Sequence, residues 1–405
     1  MSLHISLSPN TEPADTWQAF KTLFAFWRWR SLKPVQAVEN HLSEYLQQPV
    51  VAVSSGRASL AAVLQAYEIG EGDEVIVQGF TCVAVPAAVS WTGAVPVVAD
   101  IAPDTYNLDP ASVAARITSQ TRAIVVQHTF GLPGPINALR RLADAKGLLL
   151  IEDCAHALGA MYQGKLVGTL GDAAIFSFGR DKAISCVFGG AVTARDHKII
   201  DRIRTQQAAL PLPPVWWVKQ QLAHPLLMPF IKRTYFMGGI GKALLVMAQH
   251  LRMFSKAVTK AERSGSKPNH VGWRFSPALA LILLPQLQKL TRYTEARQTW
   301  AAEYAKAKVT MPVLQDGARP SWLRFPLLVD DPRAFLTQAQ NAGLVLGDWY
   351  RQVIFPLQDE SSWYMVGSCP VAEQVAAHCI NLPTLPTMST TQGREVLTFL
   401  TEAAL

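Results

Sequence analysis

Between residues 48 and 195, short apolar runs alternate with segments whose apolar positions recur at helical spacing. PVVAVSS (49–55) predicts a buried strand, and ASLAAVLQAYEIG (58–70) a helix stopped by Gly70. EVIVQG, VPVVADI (95–101) and RAIVVQHTF (122–130) predict three further strands. INALRRLADAKG (136–147) predicts a helix that leads into the strand LLLIEDCA (148–155). DAAIFSFG (172–179) and GGAVTAR (189–195) close the series. Strands without polar alternation are buried on both faces, and helices between them act as crossovers of a mostly parallel sheet. The reactive groups of such a sheet gather beyond the carboxyl ends of its strands.

Past residue 277 the spacing changes. Residues 278–307 predict one long helix, RFPLLVD (324–330) a strand, and PRAFLTQAQNAG (332–343) a helix, with a terminal helix from about 391. The chain thus divides into an N-terminal arm with helices (1–45), a large α/β domain (46–209), a segment of different character (210–262) and a smaller α+β domain (263–405).

Composition sharpens this picture at one place. Of 405 residues, 49% are apolar and 17% charged, which excludes a disordered chain. The net charge is +7, yet Lys219, Lys232, Arg233, Lys242, Arg252, Lys256 and Lys260 lie between 210 and 261 without one Asp or Glu. Without those seven, 30 basic residues face 30 acidic ones. Five dispersed cysteines with no CxxC spacing fit a reducing compartment rather than a disulfide framework or a zinc site. No secretory pattern opens the chain and no apolar run reaches membrane-spanning length, so the expected location is cytoplasmic.

Four features fall at strand ends. SSGRAS (54–59) is a strand-to-helix turn that either cradles a phosphate or is plain turn chemistry. IEDCAHA (151–157) places carboxylates where they either hold a protonated ring nitrogen or cap a helix. FSFGRDKAIS (176–185) carries Lys182 in a Gly-flanked loop, either solvated or nucleophilic, and His128 in QHTFG reads as structural. Taken in order, a phosphate cradle, an Asp, a Ser and a Lys are the equipment for pyridoxal 5'-phosphate.

The order and wording of these motifs resemble the DegT/StrS family of pyridoxal phosphate-dependent sugar aminotransferases. AVSSGRASLAAVL, GDEVIVQGFTCVAVPAAVSWTGAVPVVADIAPDTYNLDP, QHTFGLPGPINAL, IEDCAHALGAMYQGKLVGTLGDAAIFSFGRDK and FGGAV carry the resemblance, joined by GWRFSPALALILLPQLQKL and CPVAEQVAAHCINLPTLPTMS. It implies a fold-type I enzyme with a mostly parallel mixed sheet and a smaller C-terminal domain. Lys182 would be the Schiff-base lysine and Asp153 the partner of the pyridinium nitrogen. His156 would lie against the phenolic oxygen, and Ser177 would join the N–H groups of Gly56, Arg57 and Ala58 around the phosphate.

Three departures stand out. Arg57 replaces a small Thr and either grips the phosphate or points to solvent. Cys82 replaces a stacking aromatic, and Gly272 replaces an Asn that reaches a neighbouring subunit's phosphate. The resemblance implies a homodimer that moves an amino group, from L-glutamate, to a keto-sugar. A nucleotide-linked sugar is the expected substrate, with a lipid-linked or free one kept open by the basic segment. A non-catalytic, regulatory member is the competing expectation.

Residues 210–262 read as an insertion, broken into short helices by Pro225, Pro229 and a glycine cluster. Its aromatic and cationic mixture recurs in FAFWRWRSLK (24–33). It fits an anionic membrane surface, packing on the dimer, or a grip on a diphosphate. Nucleic acid is not expected, because bulky apolar residues dilute the cations.

Overall fold

The computed structural model describes residues 3–5, 10–235, 237, 239–251, 253–255, 258–307, 309–357 and 363–402, apart from the side chains at 260 and 261. Seven strands build the central sheet: β1 (Val50–Val53), β2 (Glu74–Gln78), β3 (Val95–Ala99), β4 (Thr121–Gln127), β5 (Leu149–Asp153), β6 (Ala173–Ser177) and β7 (Gly190–Ala194). Their spatial order is β1-β7-β6-β5-β4-β2-β3. Only β7 runs antiparallel to its neighbours. Each strand predicted from the pattern is present and ends earlier than predicted, with β4 beginning one residue sooner, at Thr121.

The alternation along each strand divides its side chains between two cores. In β4, Ala123 and Val125 join one buried cluster while Ile124 and Val126 join the other. The helices α1 (Pro13–Phe24), α2 (Lys33–Leu46), α3 (Gly56–Ala66), α4 (Ala84–Ser90), α5 (Pro110–Arg116), α6 (Ile136–Lys146) and α7 (His197–Ala209) follow in chain order. Gly147 ends α6 at φ +66°, a left-handed conformation that glycine adopts without a Cβ penalty. In the sheet register Gln127 pairs with Asp153, and Asp153 with Ile175. The carboxyl ends of β4, β5 and β6 therefore emerge side by side, which sets the location of the site.

Two helix expectations are corrected: one long helix is two, broken at Gln288–Lys289, and helices run through prolines. Residues 278–307 form two helices, α10 (Pro277–Leu287) and α11 (Leu290–Tyr304), preceded by α8 (Val215–Thr234) and α9 (Ile240–His250). Pro285 cannot donate to the Leu281 carbonyl, and Gln18 Nε2 from α1 donates to it instead at 3.1 Å. The same device keeps α8 whole where short helices were expected. Pro229 leaves the Pro225 carbonyl without its helical donor, and Thr16 Oγ1 of α1 takes its place at 3.2 Å. Helix α8 therefore runs 20 residues through both prolines.

The smaller domain pairs β8 (Phe325–Leu328) antiparallel with β9 (Cys379–Leu382), beside α12 (Pro332–Asn341), α13 (Pro370–His378) and α14 (Thr390–Glu402). Among the described residues, no helix is long and apolar enough to cross a membrane.

Candidate active site

The ends of β5 and β6 and the start of α3 converge on a cavity of about 720 Å³. Gly56, Arg57, Cys82, Asp153, His156, Ser177 and Lys182 all line it. Ala58, the eighth predicted residue, does not. Its N–H donates to Oγ of the N-cap Ser55 at 3.3 Å. The helix N-terminus thus meets the cavity at Gly56 and Arg57, where its dipole favours an anion.

Gly56 is required by a close approach. A Cβ there would lie 2.7 Å from Ser177 Cβ and 3.0 Å from its Oγ. The start of α3 and the end of β6 therefore meet in direct contact, with no room for a side chain at Gly56, and together form a cradle on the cavity wall. Gly56→Ala is expected to push Ser177 away and to weaken cofactor retention by at least about tenfold, read by dialysis followed by absorbance.

Asp153 is almost fully buried, and its Oδ1 accepts the Ala155 N–H at 2.9 Å. Burial raises its pKa, opposed by that backbone bond and by the charges of Lys182 and His128. A carboxylate so placed is completed by a cationic N–H donor, which a pyridinium supplies. His156 sits beside it with Nδ1 accepting the Phe130 N–H at 3.2 Å. Desolvation, with help from Lys182 and Arg324, holds its pKa well below 6.5. The imidazole is therefore neutral, and its proton is on Nε2, 3.4 Å from Tyr350 Oη.

Burial also lowers the pKa of Lys182, opposed by Cys82, Asp153 and Asp181. Its backbone is fixed from outside the loop. Asn10 Nδ2 donates to the Lys182 carbonyl and, at 3.1 Å, to that of Ala183. The buried Arg297 donates to the same Ala183 carbonyl at 2.6 Å and to Asn10 Oδ1 at 2.9 Å. Next to it, Asp181 is pushed up to about 6 by desolvation, and its Oδ1 is sealed without a hydrogen-bond partner.

Arg57 follows neither expected course. Its guanidinium pairs with the buried carboxylate of Glu262, the acid that ends the basic segment. Cys82 is half-buried in the cavity wall, on a short strand that pairs with Ile354–Phe355. That pairing brings in the aromatics that Cys82 does not supply. Trp349 stacks on His156 at 5.6 Å between ring centroids, 10° from parallel, and Lys182 Nζ lies 5.6 Å from the Trp349 ring centroid. Gly272 has open space around its Cβ direction.

His128 is structural, as read from the sequence. Its Nε2 lies 3.1 Å from Glu152 Oε2, and that carboxylate also accepts the N–H groups of Gly168, Leu170 and Gly171. Sequence reasoning missed Trp349, Tyr350 and Asp181, as well as the wall contributed by His224, Met228, Leu245 and Phe254. The basic segment also reaches the lysine loop. Arg180 Nη1 donates to the Ser255 carbonyl at 2.6 Å, and Ser255 Oγ to Gln221 Oε1 at 2.6 Å.

A nucleophilic lysine, a buried carboxylate, a neutral imidazole donor and a phosphate cradle in one cavity fit pyridoxal phosphate. The sequence pattern of the DegT/DnrJ/EryC1/StrS aminotransferase family matches residues 14–211 and 241–401. The chain belongs to this family. The unmatched stretch between the two matches, 212–240, is narrower than the expected insertion and contains all of α8.

Within the DegT/DnrJ/EryC1/StrS family, L-glutamine:scyllo-inosose aminotransferase of Streptomyces griseus is 48% identical over 146 residues, covering 36% of this chain and 34% of that protein. The dTDP-3-amino-3,6-dideoxy-alpha-D-galactopyranose transaminase of Aneurinibacillus thermoaerophilus is 42% identical over 154 residues, 38% of this chain and 42% of that protein. The chain spans about a third to a half of the length of these curated relatives. The crystal structure of DesV from S. venezuelae superposes with a TM-score of 0.75 at 27% identity, over 96% of this chain and 94% of that one. The sugar aminotransferase CalS13 of Micromonospora echinospora shares the fold, with a TM-score of 0.73 at 22% identity over 100% of this chain and 99% of that one.

Proposed function

We propose that this protein is a pyridoxal phosphate-dependent aminotransferase that passes an amino group from L-glutamate to a keto-sugar. One observation carries the reading: Lys182, Asp153 and His156 share a cavity with the Gly56–Ser177 cradle. Bound there, pyridoxal phosphate supplies an aldehyde that accepts the amino group and a ring that accepts electrons. The protein's own residues do the rest. The Gly56–Ser177 cradle and the α3 dipole hold the phosphate. Asp153 holds the proton of the ring nitrogen. The Nε2–H of His156 is offered to the phenolic oxygen. Lys182 Nζ, whose charged form burial disfavours, would take the Cα proton from the amino donor and deliver it to the cofactor carbon that carried the aldehyde.

The relatives' names supply the substrate class, a keto-sugar or keto-cyclitol, and make L-glutamine the first alternative donor to try. The enzyme acts as a cytoplasmic homodimer, with the basic segment in peripheral contact with the membrane. Lys182 within this intact set speaks against a purely regulatory member. The purified protein should be yellow, be fixed to its cofactor at Lys182 by borohydride, and bleach with L-glutamate. A panel of nucleotide-linked and free keto-sugars analysed by mass spectrometry then reads the acceptor. A colourless protein indifferent to pyridoxal phosphate would sink this reading.

A further inference from the structure

Two stretches far apart in sequence share one composition and lie together in the fold. Residues 16–38 hold Lys21, Arg28, Arg30 and Lys33 without an Asp or Glu, as residues 210–261 hold their seven cations. Helix α1 packs along α8, and α8 along α9. The α1–α8 contact includes the bond from Thr16 Oγ1 to the Pro225 carbonyl.

The inner sides of these elements are ordinary core, with Ala19, Trp29 and Leu222 buried. The outer sides are not. Trp27 is 70% exposed, Phe26 68%, Trp216 63% and Phe230 59%. Lys21, Arg28, Lys219, Arg233 and Lys242 are exposed on the same elements. The acids that border the two stretches are engaged elsewhere: Asp15 by Lys289, Glu39 by the Ala52 N–H and Glu262 by Arg57.

Exposed indole and phenyl rings among unopposed cations suit the headgroup level of an anionic bilayer. They do not suit a second copy of this chain. A two-fold contact sets a patch against itself, so cations would meet cations with no acid to pair them. Helix α8 also lies outside the residues that the family pattern matches.

Helix α9 connects this surface to the chemistry. Its Leu245 and Gln249 line the catalytic cavity, and Met228, Phe254 and Val258 continue that wall. Its Val246 and Met247, with Leu251 just past its end, line a second, outward depression of about 560 Å³, with Lys242 and His250 beside them. One helix therefore separates the reacting centre from an apolar face that carries two basic groups. An apolar wall receives a hydrocarbon chain better than it recognises a nucleotide base, whose polar edge would be left unpaired.

The geometry points to one device: α1, the turn Phe26–Arg30, α8 and α9 seat on an anionic bilayer, and the keto-sugar arrives carried on a lipid phosphate whose chain lies along α9. The substrate half of this proposal rests on the keto-sugar aminotransferase reading.

The test uses the full-length holoenzyme. In flotation, vesicles of phosphatidylglycerol and phosphatidylcholine should carry the protein at least about tenfold better than phosphatidylcholine alone, and less well at about 0.5 M salt. The double variant Trp27→Glu/Phe230→Glu should lose at least about tenfold of that binding while keeping the parent's mass in solution and its bleaching by glutamate. By calorimetry, farnesyl diphosphate should bind at least about tenfold tighter than UDP, a preference that Met247→Glu removes.

Absence of vesicle binding, or a variant whose mass falls to that of a single chain, overturns the docking surface. UDP binding tighter than farnesyl diphosphate overturns the lipid carrier. A parent protein that binds vesicles but bleaches with neither glutamate nor glutamine overturns the aminotransferase reading and leaves the docking surface standing.

Discussion

Lys182→Ala is expected to slow the glutamate-driven bleaching of the bound cofactor by at least about 10³-fold, measured in a single turnover. The size of the effect follows from what the residue combines. Its ammonium is disfavoured by burial, which favours the free amine that acts as base. Its backbone does not depend on the side chain, because Asn10 and Arg297 hold the carbonyls of Lys182 and Ala183. The variant should therefore fold with near-parental stability and still retain cofactor through the Gly56–Ser177 cradle, but without a bond that borohydride can fix. Lys182→Arg separates base from charge. A guanidinium keeps the positive charge and cannot give up its proton. It should be as slow as the alanine variant. Turnover within tenfold of the parent in either variant would remove Lys182 from the chemistry.

Much of the fold and of the candidate site was legible because both are written locally. A buried parallel strand needs a run of apolar residues, and the residue that ends the run is the one delivered to the site. Asp153 and Ser177 are the last residues of β5 and β6, and Gly56 opens the helix after β1. What was not legible depends on partners from distant parts of the chain. Nothing near Pro229 or Pro285 shows that Thr16 and Gln18 of α1 will accommodate them. Arg57 could be read as a phosphate ligand until the structure placed Glu262 against it, some 200 residues later. Trp349 and Tyr350 sit in a loop without periodicity, and distant partners carry them to the cavity: the pairing of Ile354–Phe355 with Thr81–Cys82 and the bonds between Trp349 and Asn381. The aromatic and cationic character of residues 24–33 and of the basic segment was visible twice. That they form one surface was not, because α1 reaches α8 only in three dimensions.

Asp153→Asn should separate two consequences of one buried charge. The asparagine keeps the volume and, through its own Oδ1, the bond to the Ala155 N–H, so the local structure persists. It loses the negative charge that would hold a protonated ring nitrogen. Bleaching by glutamate should fall by about 10²–10³-fold, the usual cost of removing one preorganised electrostatic partner. The second consequence is a change in stability with the opposite sign. Desolvation raises the Asp153 pKa in the folded protein. The stability such a group confers is fully present below its unfolded pKa and is lost as pH rises through the folded value. Once ionised, the cofactor-free parent therefore carries a carboxylate whose charge burial disfavours, which the asparagine variant lacks. Without cofactor, the variant should melt higher than the parent near neutral pH, and the gap should narrow as pH falls toward the ordinary carboxylate range. With cofactor the order should reverse, because only the parent gains an ion pair on binding. Melting curves of both proteins, with and without pyridoxal phosphate at two pH values, read this crossover. A variant that is less stable than the parent without cofactor at pH 8 would show that Asp153 is paired within the protein itself, and its role toward the ring nitrogen would then fall.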